Sequence, residues 1–80
     1  MQAEQVVALI QTGIPDAVVH IDGEGCNFSV QVVSAQFAGL SLVKKQQLVL
    51  ATVKEQIKSG ELHAMSVKAY TPEEWDANPS

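Results

Sequence analysis

The spacing of apolar residues along the chain predicts two longer helices that each bury one face. Apolar side chains recur at helical intervals over residues 2–12 and again over residues 42–59. The buried stripe predicted for the second helix consists of Val43, Gln46, Leu50, Val53 and Ile57, widened by Leu42 and Val49. Gly13 is expected to end the first helix as its C′ residue. Ser41 should cap the start of the second helix, and Gly60 should end it.

Three further segments alternate between apolar and polar residues, which is typical of strands with one buried face. They are residues 17–22, 27–34 and 64–69. The segment Gly23-Glu24-Gly25-Cys26 has the length and the glycines of a hairpin between the first two strands. His63 stands at the mouth of the third strand, where rigid structure would place it within reach of solvent.

A short helix is predicted after the third strand, over residues 72–77. Thr71 can cap it, Pro72 suits its first position, and Glu74 stands three residues after the cap, as in a capping box. Trp75 is expected to fold back onto the body of the protein. The order helix-strand-strand-helix-strand-helix predicts a single two-layer α+β domain over residues 1–80, with a three-stranded sheet and its helices on one face.

The charge of the chain narrows the classes of partner. The formal net charge is −4 and there is no arginine, which argues against nucleic-acid binding because phosphate contacts depend on clustered lysine and arginine. Four lysines nevertheless fall on one predicted helix: Lys44, Lys45, Lys54 and Lys58. A DNA-binding helix is therefore kept as the alternative to a solvated helix face.

The sequence also predicts a cytoplasmic protein without a membrane partner. Its single cysteine, Cys26, cannot form an internal disulfide and is typical of a reducing compartment. The first residues show no signal-peptide pattern, and no apolar run approaches the roughly 20 residues of a membrane span.

Few residues could carry chemistry. Cys26 and His63 could form a thiol–imidazole pair, but no third orienting group and no known catalytic motif accompanies them, so the sequence does not favour an enzyme. The same two side chains are good ligands for zinc or iron–sulfur chemistry, and a site completed by a partner would need only these two. The simpler alternatives are an unreactive loop thiol and a histidine that forms a hydrogen bond at a strand end. His20 faces away from Val19 and Ile21 and is expected to be a surface residue.

Three segments carry motifs of a known family. The C-terminal one is His63-Ala64-Met65-Ser66-Val67-Lys68-Ala69, followed by Thr71-Pro72-Glu73-Glu74-Trp75. Upstream, Phe37-Ala38-Gly39-Leu40-Ser41-Leu42-Val43-Lys44-Lys45-Gln46-Gln47 follows the pattern F-x-G-x-x-x-V-K-K-Q-Q, and His20-Ile21-Asp22-Gly23-Glu24-Gly25 reads as a first hairpin. In this combination, over nearly the whole chain, the sequence resembles the BolA-like proteins and most of all their IbaG branch.

The resemblance implies a fold related to class II KH domains and a partnership with monothiol (CGFS-type) glutaredoxins. In such heterodimers a 2Fe-2S cluster can be shared, with glutathione supplying one ligand on the glutaredoxin side. The ligands implied on this chain are His63 and Cys26, whereas many members of the branch carry histidine one position later, at Asn27. A cysteine ligand should lower the reduction potential of the cluster relative to histidine.

The resemblance also implies where partners would dock. The glutaredoxin is expected to contact the His63 end of the sheet together with the loop and helix start over residues 37–47, including Lys44 and Lys45. The alternative partner is DNA, bound by the helix that starts near Ser41, although the chain lacks the GXXG loop of KH domains. The free protein is expected to be a monomer or a weak homodimer.

Overall fold

The computed structural model of the protein describes residues 2–24 and 27–77. Its elements are α1 (Ala3–Gly13), β1 (Val18–Glu24), β2 (Asn27–Val33), α2 (Leu42–Thr52), α3 (Lys54–Ser59), β3 (Ala64–Tyr70) and α4 (Pro72–Ala77), with a short 3₁₀ turn over Ala35–Phe37. This order confirms the predicted α+β arrangement, except that the long second helix is divided in two.

The sheet has the order β1-β2-β3, so β2 is its central strand. β1 and β2 are antiparallel, which confirms the hairpin. The predicted connection is too long, because Gly23 and Glu24 pair with Phe28 and Asn27 as the last residues of β1. Residues 25–26 lie outside the described residues. β2 and β3 are parallel, and Asn27 is the partner of Ala64. Because a parallel pair needs a crossover connection, α2 and α3 have to span the sheet between β2 and β3.

The core lies between the sheet and the two helices α1 and α2. Its fully buried or nearly buried side chains are Val6, Ile10, Ile14, Phe28, Val30, Val32, Phe37, Val49, Val53 and Leu62. The predicted strand faces are confirmed, since inward Phe28, Val30 and Val32 alternate along β2 with exposed Asn27 and Ser29. The side of the sheet away from α1 and α2, called the open face below, carries His20, Asp22, Ser29, Gln31, Ser66 and Lys68.

The buried stripe predicted for the second helix is wrong at both of its ends. Leu42, Val43 and Ile57 are 64%, 61% and 41% exposed, respectively. The side chains that face inward are Lys45, Val49 and Val53, at four-residue intervals along one helix face. A helix lying on a sheet of only three strands buries a narrow stripe, so the apolar residues on its flank stay in solvent.

Val53 is also where the predicted helix breaks into α2 and α3. Its backbone leaves the helical region, with φ −119° and ψ 18°. Its N–H donates to the carbonyl of Leu50 at 3.1 Å, an i→i−3 bond that tightens the last turn of α2. The valine side chain stays fully buried, so the break keeps the core contact and redirects α3.

The role predicted for Gly13 is also wrong. Gly13 is the last residue of α1 and is not among the glycines with positive φ, so it is not a left-handed C′ residue. A Cβ at this position would lie 2.5 Å from Cγ2 of Thr52, at the end of α2. The glycine therefore permits the close approach of the two helices. Gly60, in contrast, has φ 86° and ends α3 as predicted.

α4 closes the end of the sheet where β3 finishes. The predicted capping box is confirmed: the Glu74 N–H donates to Thr71 Oγ1 at 3.2 Å, and the Thr71 N–H donates to Glu74 Oε1 at 2.9 Å. Ser41 likewise caps α2, because its hydroxyl accepts from the Lys44 N–H at 3.2 Å.

Trp75 folds back from α4 onto the body of the protein, as predicted, and the structure places it on the open face. Its ring stacks on that of His20 with centroids 4.7 Å apart and planes 8° apart, and it meets Tyr70 edge-on at 5.4 Å. Because His20 lies on β1 and Tyr70 on β3, the indole must lie over the central strand. This position explains why Val33, which alternation places on the open face, is only 8% exposed.

Candidate functional site

His63 is held at one end of the sheet by the residues on either side of it. Gly60 ends α3 in the left-handed conformation, and the chain then buries the Leu62 side chain completely. The Leu62 N–H also donates to the Gln56 carbonyl at 3.1 Å. Ala64 begins β3, so the exposed His63 lies between a buried anchor and a paired strand. The predicted position of His63 is confirmed.

The register of the sheet brings a second part of the chain to the same end. Asn27, the first residue of β2, is the Cα partner of Ala64, and neighbouring strands lie about 4.8 Å apart. The hairpin turn that contains Cys26 therefore joins the sheet beside His63. Cys26 itself lies outside the described residues, so its role as a ligand stays a prediction. Asn27 is exposed at this junction.

Gly23 keeps the hairpin close to this end of the sheet. Its φ is 112°, and a Cβ would lie 2.4 Å from the backbone oxygen of Asn27. No other residue type fits this position without moving β2. A shallow groove of about 430 Å³ opens here, lined by Asp22, Gly23, Asn27, Phe28, Ser29, Met65 and Ser66. Its floor is a sheet surface, so it offers a contact area rather than an enclosed reaction chamber.

The ligand chemistry of this end is sparse. Within residues 2–24 and 27–77, no group of three or more histidine, cysteine, aspartate or glutamate side chains is placed to hold a metal ion. A metal centre that used His63 would therefore need ligands from outside these residues. An exposed imidazole at a rigid strand end fits such a shared centre, because a neutral ring nitrogen is a good ligand for zinc and can replace cysteine in an iron–sulfur centre.

The lysines predicted to extend this site lie elsewhere. Lys45 is buried, and its Nζ forms an ion pair with Glu74 Oε1 at 2.8 Å. Glu74 follows the far end of β3, which is about 20 Å from the His63 end for a seven-residue strand. The predicted docking surface is therefore split between the two ends of the sheet, and of the lysine pair at the start of α2 only Lys44 is exposed.

The environment of Glu74 changes its acidity. The hydrogen bond from the Lys45 ammonium and the backbone hydrogen bond from Thr71 lower the pKa of Glu74 to about 2. The carboxylate is therefore charged throughout the physiological range, and the ion pair is retained there.

A polar cluster that the sequence did not predict fixes the same far end. Asp16 accepts hydrogen bonds from the Ser34 hydroxyl at 2.6 Å, the Ala35 N–H at 3.0 Å and the Gln36 side chain at 3.1 Å. The bond from Ser34 is the main cause that lowers the pKa of Asp16. No local pattern indicates this cluster, because Asp16 is 18 to 20 positions from its three partners in the chain.

His20 has a structural position rather than a place in the His63 site. It is exposed on β1, as predicted, and stacks on Trp75. Leu62 is the residue of the site that sequence reasoning missed. Its signal was available, since it is the single apolar residue between the Gly60 break and His63.

These features define a small α+β domain that presents one histidine at the end of a mixed sheet, beside the hairpin of β1 and β2. The family model for BolA-like proteins matches residues 10–74. The chain belongs to the BolA-like family.

Individual relatives agree with this assignment. The chain is 39% identical over 75 residues to the acid stress protein IbaG of Escherichia coli, covering 94% of this chain and 89% of that protein. Its fold is similar to that of a BolA homologue from Coxiella burnetii, with a TM-score of 0.85 and 27% identity over 95% of this chain and 97% of that one. It is also similar to the BolA domain of SufE1 from Arabidopsis thaliana, with a TM-score of 0.79 and 26% identity over 92% and 98% of the two chains.

Among the described residues, no helix is both long and apolar enough to cross a membrane.

Proposed function

We propose that this protein is a non-enzymatic adaptor in iron–sulfur cluster trafficking, which binds a monothiol glutaredoxin and shares a 2Fe-2S cluster with it. The observation that carries the proposal is the placement of His63. Its exposed side chain lies between buried Leu62 and the first residue of β3, beside the hairpin that contains Cys26.

The number of ligands supports a shared cluster. A 2Fe-2S cluster takes four ligands, two on each iron. This chain would contribute the His63 imidazole and the Cys26 thiolate, and the glutaredoxin cysteine with glutathione would supply the other two. In this division the cluster is cargo, and the residues of this chain bind it and orient it without catalysing a reaction.

The shape of the site supports protein docking. The groove beside His63 is shallow, and both polar and apolar residues line it. Such a surface suits contact with a second protein better than enclosure of a small substrate, which usually needs a concave and mostly apolar pocket. The name of the Escherichia coli relative, an acid stress protein, adds acid stress as the condition under which we expect the adaptor to act.

DNA binding through the start of α2 is the less favoured function. Lys45 is committed to Glu74, and the chain has no arginine for bidentate contacts with bases. Replacing Lys45 would also break an ion pair inside the fold. The single variant Lys44→Glu therefore tests DNA binding without disturbing that ion pair. We expect Lys44→Glu to leave the cluster spectra unchanged.

The first test is an anaerobic titration of holo monothiol glutaredoxin and glutathione with this protein, followed by visible absorption and circular dichroism. Wild-type protein should convert the glutaredoxin homodimer spectrum into a new cluster spectrum. His63→Ala should abolish that conversion because it removes a cluster ligand, and Cys26→Ser should weaken or shift it. His20→Ala is the matched control, since it removes the other histidine of the chain from a different part of the sheet.

The result that would overturn the proposal is a homodimer spectrum in every mixture. Equal losses in His63→Ala and His20→Ala would also count against it, because they would indicate damage to the fold. Far-UV circular dichroism of each variant separates that case from loss of a ligand.

A further inference from the structure

α2 and α3 carry an apolar stripe whose side chains are not part of the hydrophobic core. Val43 and Ile57 are 61% and 41% exposed, and Leu50 is half-buried between them. Val43 and Leu50 are seven residues apart within α2, which places them on one side of that helix. Leu50 and Ile57 share a surface across the break at Val53. A shallow depression of about 280 Å³ lies along this side, lined by Gln47, Leu50, Ala51, Lys54 and Ile57. We call Val43, Leu50 and Ile57 the α2–α3 stripe.

Positive charge flanks the α2–α3 stripe. Lys44, Lys54 and Lys58 are exposed, and none of them forms an ion pair within residues 2–24 and 27–77. Lys54 stands four residues after Leu50 and three before Ile57, so its ammonium reaches along the apolar side chains. Glu55 is the one carboxylate in the sequence of these two helices, and it stands two residues before Ile57, on the other side of α3.

This concentration of positive charge contrasts with the net negative charge of the whole chain. The chain has five basic and nine acidic residues, yet three of the basic ones line a single apolar stripe. A second copy of the protein does not fit this surface, because a symmetric contact would bring the lysines of both copies together. A partner with carboxylates beside its own apolar side chains complements both the charge and the apolar character of the stripe.

We propose that the α2–α3 stripe binds an amphipathic helix of a partner protein, with apolar residues at heptad spacing and glutamate or aspartate on the flanks. Helix-in-groove recognition depends on such periodic anchors. The contact is separate from the cluster site and does not rest on the proposed exchange with glutaredoxin. The small area available suits a transient interaction with a Kd in the micromolar range.

Two designed peptides test the proposal. Each has about 18 residues, as many as the segment from Leu42 to Ser59 that carries the stripe. Both carry leucines at heptad spacing; one has glutamate on the flanks and the other has lysine. Isothermal titration calorimetry should show that the glutamate peptide binds at least tenfold more tightly than the lysine peptide.

Variants of the protein locate the contact. The double variant Val43→Ser and Ile57→Ser should raise the Kd for the glutamate peptide at least tenfold. Val18→Ser is the matched control, because Val18 is 53% exposed on the opposite edge of the fold and its replacement should change the Kd less than twofold. Lys54→Glu combined with Lys58→Glu should reverse the preference between the two peptides. His63→Ala should bind like the wild type, which separates this result from a failure of the cluster proposal.

Three outcomes would overturn the proposal. The first is equal binding of the two peptides, or no binding by either at millimolar concentration. The second is a wild-type dimer in sedimentation equilibrium that Val43→Ser and Ile57→Ser convert to a monomer, which would assign the stripe to self-association. The third is binding of a 20-base-pair duplex that depends on the lysines and is unaffected by the two serine substitutions, which would assign this side to DNA.

Discussion

Lys45 and Glu74 form an ion pair that links the start of α2 to α4. The Lys45 side chain is 11% exposed and that of Glu74 is 47% exposed, so the pair lies at the edge of the core. Glu74 also closes the capping box with Thr71. The Glu74 carboxylate thus caps the start of α4 and also links α4 to α2.

The stability conferred by Glu74 should depend on pH. The pKa of Glu74 falls from 4.5 to about 2 in the folded state, chiefly because of the hydrogen bond from Lys45. A group whose folded pKa is lowered stabilises the fold above its unfolded value and loses that effect as the pH falls toward its folded value. Thermal unfolding between pH 7 and pH 2 should therefore show Glu74→Gln less stable than wild type above about pH 4.5, with the gap closing below it.

Glu73→Gln is the control for this experiment, because it removes a neighbouring exposed carboxylate outside the pair. A stability gap that stays constant from pH 7 to pH 2 would show that Glu74 acts through packing alone.

The helices are placed by contacts at single positions as much as by their apolar faces. α1 and α2 meet where Gly13 faces Thr52, and an added methyl group would lie 2.5 Å from Thr52 Cγ2. Gln46 of α2 donates to the Val67 carbonyl on β3 at 3.2 Å, so a side chain from the helix satisfies a backbone group of an edge strand. The helical spacing places Gln46 in the predicted buried stripe but does not predict its hydrogen bond to Val67.

Gly13→Ala should destabilise the protein by about 1 kcal/mol. Alanine favours a helix by about 0.5–1 kcal/mol, but overpacking costs about 1–3 kcal/mol. Thr52→Ser removes the clashing methyl group and keeps the hydroxyl that donates to the Val49 carbonyl at 2.6 Å. In the Thr52→Ser background, Gly13→Ala should be neutral or stabilising by urea denaturation. An equal loss in both backgrounds would show that the backbone at Gly13, rather than its neighbour, requires glycine.

The two faces of the sheet are joined at one end by α4. Glu74 reaches the helical layer through Lys45, whereas Trp75 lies on the open face against His20 and Tyr70. The other end of the sheet carries His63 and the hairpin. The end of the sheet that α4 holds is therefore opposite the end that carries His63 and the hairpin.

Trp75→Ala should destabilise the whole protein by about 2 kcal/mol, less than the ~3–5 kcal/mol typical of a fully buried tryptophan. Because Trp75 is the only tryptophan, far-UV circular dichroism rather than fluorescence should follow the urea transition. Amide exchange near His20 should also accelerate, since the ring ties α4 to the strand at the opposite edge. Trp75→Phe retains an aromatic ring and should recover part of both effects. A change in stability with no change in exchange on β1 would contradict this coupling.

Local patterns were sufficient where the physical cause is local. The alternation of β2, the capping box of Thr71 and Glu74, the Ser41 cap and the helix end at Gly60 each depend on a few neighbouring residues, and each was predicted. The position of His63 at the mouth of a strand follows from the same kind of pattern. The ligand role of His63 and Cys26 instead came from the family resemblance and stays a prediction.

The sequence by itself determined the order of the elements, the inward faces of the strands and the location of the candidate ligand. Only the tertiary structure decided which side of the second helix is buried, because that depends on the width of the sheet beneath it. It also decided that the start of α2 lies far from His63. It decided two contacts as well: Lys45 pairs with Glu74, and Gly13 leaves room for Thr52. These contacts join residues that are 29 and 39 positions apart. No periodic pattern within one segment records such contacts, since they arise only when separate elements pack together.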